Sequence, residues 1–189
     1  MFLEEPVDLW RELKLLQRMY DGSLSPLEFQ LVALSTRFGG LAPLLYRRDV
    51  RLIITERSPF SDKHVFAKTT IGNEEENQRD AYQAYSAAYD QLIQIVPSHV
   101  DVVHVMLHAP TSVVLERIGK RDRPEEREIK ESYLEKLDNA HSEWLKSVPA
   151  SSVEHVDCAR SADDIAQDVL AIIERRSGFG PAPVVACAK

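Results

Sequence analysis

Glu56-Arg57-Ser58 sets an acid, a base and a hydroxyl at the end of the apolar run Val50-Arg51-Leu52-Ile53-Ile54-Thr55. A run so dense in branched apolar residues reads as a buried strand, and Pro59 to Lys68 reads as the helix that follows it. In open α/β sheets ligands bind at the C-terminal ends of strands, and the N–H groups that open a helix suit anionic oxygens. The chemistry these residue types suggest is that of phosphate. A second cluster sharpens the expectation: Arg117, Lys120, Arg121 and Arg123 are followed at once by Glu125 and Glu126. On a helix, positions 117, 120 and 121 share one face and can converge on a polyphosphate. The same run also reads as a solvated helix laced with Arg–Glu pairs.

The elements that must position these groups alternate between strand and helix. Val7 to Met19 reads as one helix, with Leu9, Leu13, Leu16 and Met19 at helical spacing, ended by Asp21-Gly22-Ser23. Ser25-Pro26 opens a second helix, which carries Phe29, Gln30, Ala33 and Arg37 on one side and closes at Gly39-Gly40. After the strand at 50–55 and the helix at 59–68 come an acidic turn, Asn73-Glu74-Glu75-Glu76-Asn77, and a long helix to about Ile95. Strands at Val100–Leu107 and Val153–Asp157 and helices at Thr111–Arg117, Ser132–Leu145 and Ala162–Arg175 complete the series. The Gly- and Pro-rich tail from Ser177 to Lys189 reads as a disordered end. Alternation without hairpin signals implies an α/β fold with a parallel sheet covered on both faces.

Composition excludes several classes. A formal charge of −7 and a pI near 5.4 argue against nucleic-acid binding, which asks for a basic face. Cys158 and Cys187 are too few for a disulfide framework or a thiolate metal site, which points to a reducing compartment. No apolar run reaches the ~20 residues that span a bilayer, and nothing near Met1 has the charged and apolar regions of a secretory signal, so no membrane partner is expected. His104 and His108 share a strand face, but no third ligand is spaced to complete a metal site. A packed or hydrogen-bonded pair is the expectation there.

Further motifs then fall into order: Glu5-Pro6-Val7-x-x-Trp10, Phe29-Gln30, Glu56-Arg57-Ser58-x-Phe60-Ser61, Arg117-x-x-x-Arg121-x-Arg123-x-x-Glu126 and Tyr133-Leu134-Glu135-x-Leu137. In these the chain resembles the deoxyribonucleoside kinases, the family of deoxycytidine, deoxyguanosine and mitochondrial thymidine kinases, over roughly residues 2–175. The resemblance implies a doubly wound parallel sheet with helices on both faces, of the P-loop nucleoside-kinase kind, in one domain over residues 1–176. It implies transfer of the γ-phosphoryl group of ATP, with Mg²⁺, to the 5′-hydroxyl of a deoxyribonucleoside in nucleotide salvage.

Site residues follow from the same resemblance. Glu5 matches the general base. Glu56 would position Mg²⁺ or its water, Arg57 would bind near the 5′ oxygen, and Arg117, Arg121 and Arg123 would close as a lid. Trp10 and Phe66 would flank the base, Gln30 would pair with its edge, and Tyr20 and Glu126 would hold the 3′-hydroxyl. Arg37 and Asp62 match a pair that bridges near the base in the deoxycytidine and deoxyguanosine kinase branches. That match favours deoxyadenosine, deoxyguanosine or deoxycytidine over thymidine. A homodimer through helices at about 27–38 and 76–95 and a cytoplasmic or mitochondrial location are also implied.

One family feature is missing: no G-x-x-x-x-G-K-[ST] phosphate loop occurs in the 189 residues. Met1-Phe2-Leu3 looks like the family's second strand, so the expectation is an N-terminus lacking the first strand and its loop. Two other readings stay open: a catalytically inactive nucleoside-binding or dimerisation relative, and a nucleoside-monophosphate kinase-like phosphotransferase.

Overall fold

The computed structural model describes residues 1–72, 76–123, 126 and 129–178, without the side chains of residues 20 and 76–78. The expected acidic turn at 73–77 and the tail beyond Gly178 therefore lie wholly or largely outside the described residues.

Strand β1 (Phe2–Leu3) leads to the short helices α1 (Val7–Glu12) and α2 (Leu15–Tyr20). The single helix expected over Val7–Met19 is broken, because Lys14 takes a left-handed φ of 53°. Burial explains the break. Trp10 and Leu15 both enter the cluster with Leu24, Phe29 and Ala33, yet residues five apart on a continuous helix diverge by about 140°. Leu9 and Leu13, the apolar positions that suggested the unbroken helix, stay exposed.

Helix α3 (Pro26–Leu45) opens on a capping box, with Ser25 accepting from the Glu28 N–H and Glu28 accepting from the Ser25 N–H. It runs past the expected stop at Gly39-Gly40. Gly40 serves packing instead: a Cβ there would meet Leu3 Cδ1 at 3.2 Å, so the missing side chain lets β1 approach the helix. The buried face of α3 carries Phe29, Gln30, Ala33, Leu34, Arg37, Phe38 and Leu41.

Strand β2 is two residues long, Ile54–Thr55, and pairs in parallel with β1 in the register Phe2↔Ile54, Leu3↔Thr55. Backbone bonds extend the pairing on both sides, from the Met1 amino group to the Leu52 carbonyl at 2.7 Å and from the Glu56 N–H to the Leu3 carbonyl at 3.3 Å. Then come α4 (Pro59–Ser61), a π-helical turn (Asp62–Ala67) and α5 (Lys68–Ile71). Helix α6 (Glu76–Leu92) packs on α3, and Leu34, Phe38, Ala67, Ile71, Tyr85 and Tyr89 form the central core between these elements.

The second half holds β3 (His104–His108), α7 (Thr111–Arg121), α8 (Glu131–Lys146), β4 (Val153–Asp157) and α9 (Ala162–Ser177). β3 and β4 pair in parallel from His104↔Val153 to His108↔Asp157. Their α9 side buries Val156, Cys158 and Ile172. Gly178, with a φ of 66°, supplies the left-handed residue that ends α9.

The chain is thus a helix-rich α/β protein whose described residues form two small parallel sheets, β1–β2 and β3–β4. It differs from the single sheet expected: among the described residues no strand joins β2 to β3. Aromatic contacts link the two halves instead. Phe60 lies edge-on to His104 at 5.5 Å, and Trp144 of α8 meets His104 at 4.8 Å and stacks on His64 at 5.8 Å.

Candidate functional site

Parallel register brings an acid and a base together. Glu5 and Arg57 each lie two residues beyond the Leu3↔Thr55 pair, and Arg57 Nη1 donates to Glu5 Oε1 at 3.1 Å. Arg57 adopts a φ of 60°, a left-handed conformation that disfavours a residue with a Cβ. Three contacts hold it there: the bond to Glu5, the Thr55 hydroxyl donating to the Arg57 carbonyl at 2.6 Å, and the Phe66 ring 4.4 Å beneath its guanidinium.

Arg37 joins the same carboxylate from α3. Its Nη2 donates to Glu5 Oε1 at 2.7 Å, its Nε to Asp62 Oδ2 at 2.6 Å and its Nη1 to the Glu56 carbonyl at 2.9 Å. The Arg37 and Asp62 side chains are each 4% exposed, and Glu5 is 6% exposed. The pair expected from sequence is therefore a buried one rather than a surface salt bridge. Burial works against the Arg37 charge, but Asp62 and Glu5 outweigh it and hold the guanidinium above its ordinary range. Burial pushes the Asp62 carboxyl up, with the Arg37 guanidinium opposing.

Local structure explains how Asp62 and Phe66 reach this point. Ser58 caps α4 and Pro59 occupies its first turn, which sets the helix going directly after β2. The wider π-helical turn then keeps Asp62 and Phe66 toward Arg37 and Arg57 respectively. Single π turns of this kind are frequent at functional sites. Glu56 differs from its neighbours: it is exposed at the strand end, and its carboxylate makes no ion pair among the described residues.

Other expected residues lie near this group with partners of their own. Gln30, 4% exposed, donates from Nε2 to Thr70 Oγ1 at 3.2 Å. Trp10 packs edge-on to Phe29 at 5.6 Å and donates from Nε1 to Thr36 Oγ1 at 3.2 Å, so in this arrangement it fills the core. The side chain of Tyr20 lies outside the described residues.

The basic cluster does not converge as its spacing suggested. Arg117 donates to the carbonyls of Cys158 at 2.6 Å and Arg160 at 3.2 Å, in the turn after β4. Lys120 pairs with Glu116 one turn back. Arg121 and Arg123 both engage Glu126, at 2.8 and 3.4 Å. None of the three arginines shares a hydrogen bond or ion pair with Glu5, Arg37 or Asp62.

His104 packs among aromatic rings, whereas His108 is exposed, with its Nδ1 3.4 Å from Asp138. No group of three or more His, Cys, Asp or Glu among the described residues could hold a metal ion. A cavity of about 510 Å³ between β3–β4 and the C-terminal half of α8, lined by Met106, His108, Leu145 and His155 among others, takes in none of the candidate residues. No helix among the described residues is long and apolar enough to cross a membrane.

Sequence reasoning missed three groups here. Thr70 holds Gln30, Tyr85 buries an unpartnered hydroxyl beside the core, and His141 of α8 meets Phe66 edge-on at 5.9 Å. None has a local spacing signal, because each acts across elements.

The profile of the deoxynucleoside kinase family matches residues 1–177. The chain is 29% identical to the mitochondrial deoxyguanosine kinase of Xenopus laevis over 166 residues, covering 76% of this chain and 62% of that one. It is 32% identical over 123 residues to a thymidine kinase of Ictalurid herpesvirus 1 (strain Auburn), covering 65% and 52%, and 31% identical over 139 residues to deoxycytidine kinase 2 of Gallus gallus, covering 69% and 51%. The chain thus spans half to three fifths of the length of these three relatives. On the family match over nearly its whole length, the chain belongs to the deoxynucleoside kinase family.

Proposed function

We propose that the Glu5–Arg37–Arg57–Asp62 constellation receives a deoxyribonucleoside, and that the protein phosphorylates its 5′-hydroxyl from ATP in nucleotide salvage. The observation that carries this reading is the buried Glu5 carboxylate at the strand end, with both guanidinium bonds on Oε1. Oε2 makes no hydrogen bond among the described residues and is the oxygen that takes the hydroxyl proton. The 5′ oxygen then bonds to the γ-phosphorus as the bond from that phosphorus to the leaving diphosphate oxygen breaks. Arg57, half-exposed and fixed by Glu5 and Phe66, neutralises charge on the transferring group. Arg121 and Arg123 close over the phosphates as a lid while Glu126 turns to the sugar 3′-hydroxyl with Tyr20. Arg117 contributes to the same lid from the α7 end.

Glu56 suits Mg²⁺, which takes one or two carboxylates together with water and nucleotide phosphates rather than an all-protein cage. The metal, when bound, screens the phosphate charges. The fold of this reading is the doubly wound nucleoside-kinase kind, acting as a homodimer. The 189 residues contain no G-x-x-x-x-G-K-[ST] loop, so Arg57, the lid arginines and Glu56 are the phosphate-site groups that this chain itself offers.

The substrates are deoxyadenosine, deoxyguanosine or deoxycytidine rather than thymidine. Asp62 accepts from an exocyclic amino group and Arg37 donates to a neighbouring acceptor, a carbonyl of guanine or cytosine or a ring nitrogen of adenine, whereas thymine presents a carbonyl and a methyl group that a charged pair serves poorly. Gln30 contributes a donor and an acceptor at the base edge, and Phe66 forms an apolar wall. Incubating the 189-residue chain with ATP, Mg²⁺ and each deoxynucleoside tests the reading. The 5′-monophosphate forms with the native chain and not with Glu5→Gln. Binding without turnover marks a nucleoside-binding relative instead, and competition by the monophosphate rather than the nucleoside marks a monophosphate kinase.

A further inference from the structure

Phe66 has two neighbours besides the core. On its face lies the Arg57 guanidinium, 4.4 Å from the ring centroid. His141 of α8 meets it in a T-shaped contact, 5.9 Å between centroids with the planes at 85°. A contact chain therefore runs His141–Phe66–Arg57–Glu5, from α8 through the π-helical turn to the carboxylate at the strand end.

The tautomer of His141 is set by its other contact. Nδ1 lies 2.8 Å from the Leu137 carbonyl one turn back on α8, so Nδ1 carries the proton and donates, and the neutral ring leaves Nε2 unprotonated. The charged groups that act on the ring are Arg57, from the turn after β2, and Asp138, on α8 itself. An imidazolium here would set a second cation against the aromatic ring that already carries Arg57.

We propose that His141 is a positioning residue: in its neutral form it clamps Phe66 beneath Arg57 and so keeps Arg57 on Glu5, and its protonation loosens that contact and weakens deoxynucleoside binding. The substrate part of this rests on the deoxynucleoside reading of the site; the coupling of His141 to Arg57 does not. Burial, and then the Arg57 charge, hold the imidazole below its ordinary range, with the Leu137 carbonyl and Asp138 opposing. The loosening is accordingly an event of mildly acidic solution.

Two measurements on the full chain decide it. In the first, the C2–H resonance of His141 is followed against pH by NMR without any ligand. The midpoint is expected below 6.5, to rise when Arg57→Gln removes the facing cation, and to stay put in Lys130→Gln, a remote control at the residue that precedes α8. A midpoint that Arg57→Gln leaves unmoved overturns the coupling.

In the second, deoxyguanosine, deoxyadenosine and deoxycytidine are titrated calorimetrically across the same pH range. Native affinity falls as His141 takes up its proton. His141→Phe keeps the edge-on contact without a titrating group, so its affinity is flat through that window. His141→Ala loses about two- to tenfold against the native chain above that window, the size of one aromatic contact, and less as the native imidazole takes up its proton. A His141→Phe profile identical to the native one, or native affinity in His141→Ala, overturns the proposal. If the native chain binds none of the three nucleosides, the substrate reading fails while the NMR titration still decides the coupling.

Discussion

Glu5 and Arg57 are register partners: each stands two residues past the Leu3↔Thr55 pair of two parallel strands, and Arg57 Nη1 reaches Glu5 Oε1 at 3.1 Å. One ladder two residues long thus fixes an acid from the start of the chain against a base 52 positions later. Arg37 adds a second guanidinium to the same oxygen from the middle of α3. Strand pairing aligns the backbone, and the helix face supplies the buried counter-charge.

Removing that counter-charge alone should be costly. Arg37→Met leaves Asp62 and Glu5 buried without their main partner, and breaking a buried ion pair in this way costs about 3–5 kcal/mol. Urea unfolding of Arg37→Met against Arg37→Met/Asp62→Ala measures it. The double variant recovers part of the loss and accepts thymidine better relative to the native chain. Unchanged nucleoside preference in the double variant removes the pair from the base site.

Tyr85 should be improved by losing its hydroxyl. The side chain is fully buried and its Oη has no hydrogen-bond partner, and burial pushes the phenol well above its ordinary range. An unsatisfied buried polar group costs about 1–3 kcal/mol. Tyr85→Phe keeps the ring stacked on Tyr82 and is expected to raise Tm by about 2–4 °C for each kcal/mol recovered. A lower Tm would mean that the hydroxyl is bonded in solution.

Stability should fall in mild acid. Burial comes first among the causes that hold His64, His104 and His141 below the ordinary imidazole range; Lys63 and Lys68 add to it at His64, His64 at His104, and Arg57 at His141. The unfolded chain takes up these protons near pH 6.5, where the folded chain resists, so the unfolded state binds more protons in the window just below. Stability is then complete above that pH and is lost as pH falls through it toward the depressed folded values. Tm measured from about pH 7.5 down to pH 5.5 should decline, and less steeply in His104→Phe, which keeps a ring against Trp144. A flat native profile contradicts the assignment.

Glu56 should be dispensable for the fold. It is exposed and has no ion-pair partner among the described residues, so Glu56→Gln is expected to change stability by less than about 0.5 kcal/mol. Under the proposed chemistry the same change raises the Mg²⁺ concentration needed for turnover. Thermal unfolding and a Mg²⁺ titration of activity separate the two effects. A large loss of stability would make Glu56 a structural residue.

Strand and helix order was legible in the sequence wherever one local pattern governs one element. Val153–Asp157 matches β4 residue for residue, and the Ser25-Pro26 start of α3 follows from capping chemistry. What was not legible depends on distant partners. Burial of both Trp10 and Leu15 against α3 breaks the first helix at Lys14, although Leu9 and Leu13 keep the spacing of an unbroken one. Gly39-Gly40 looks like a helix stop until Leu3 is seen against Gly40. The same limit governs the site. Glu5, Arg37, Arg57 and Asp62 were found by motif and meet in space, whereas the carbonyl partners of Arg117 and the place of His141 follow only from how the elements pack.

The most direct test is calorimetric titration of the 189-residue chain with deoxyguanosine, deoxyadenosine, deoxycytidine and thymidine at pH above the histidine window. At least one of the first three binds, thymidine binds at least about tenfold more weakly, a difference of roughly 1.4 kcal/mol, and Asp62→Asn abolishes the difference. Absence of heat with all four, or thymidine binding as tightly as the others, would contradict a deoxynucleoside site built on Glu5, Arg37 and Asp62.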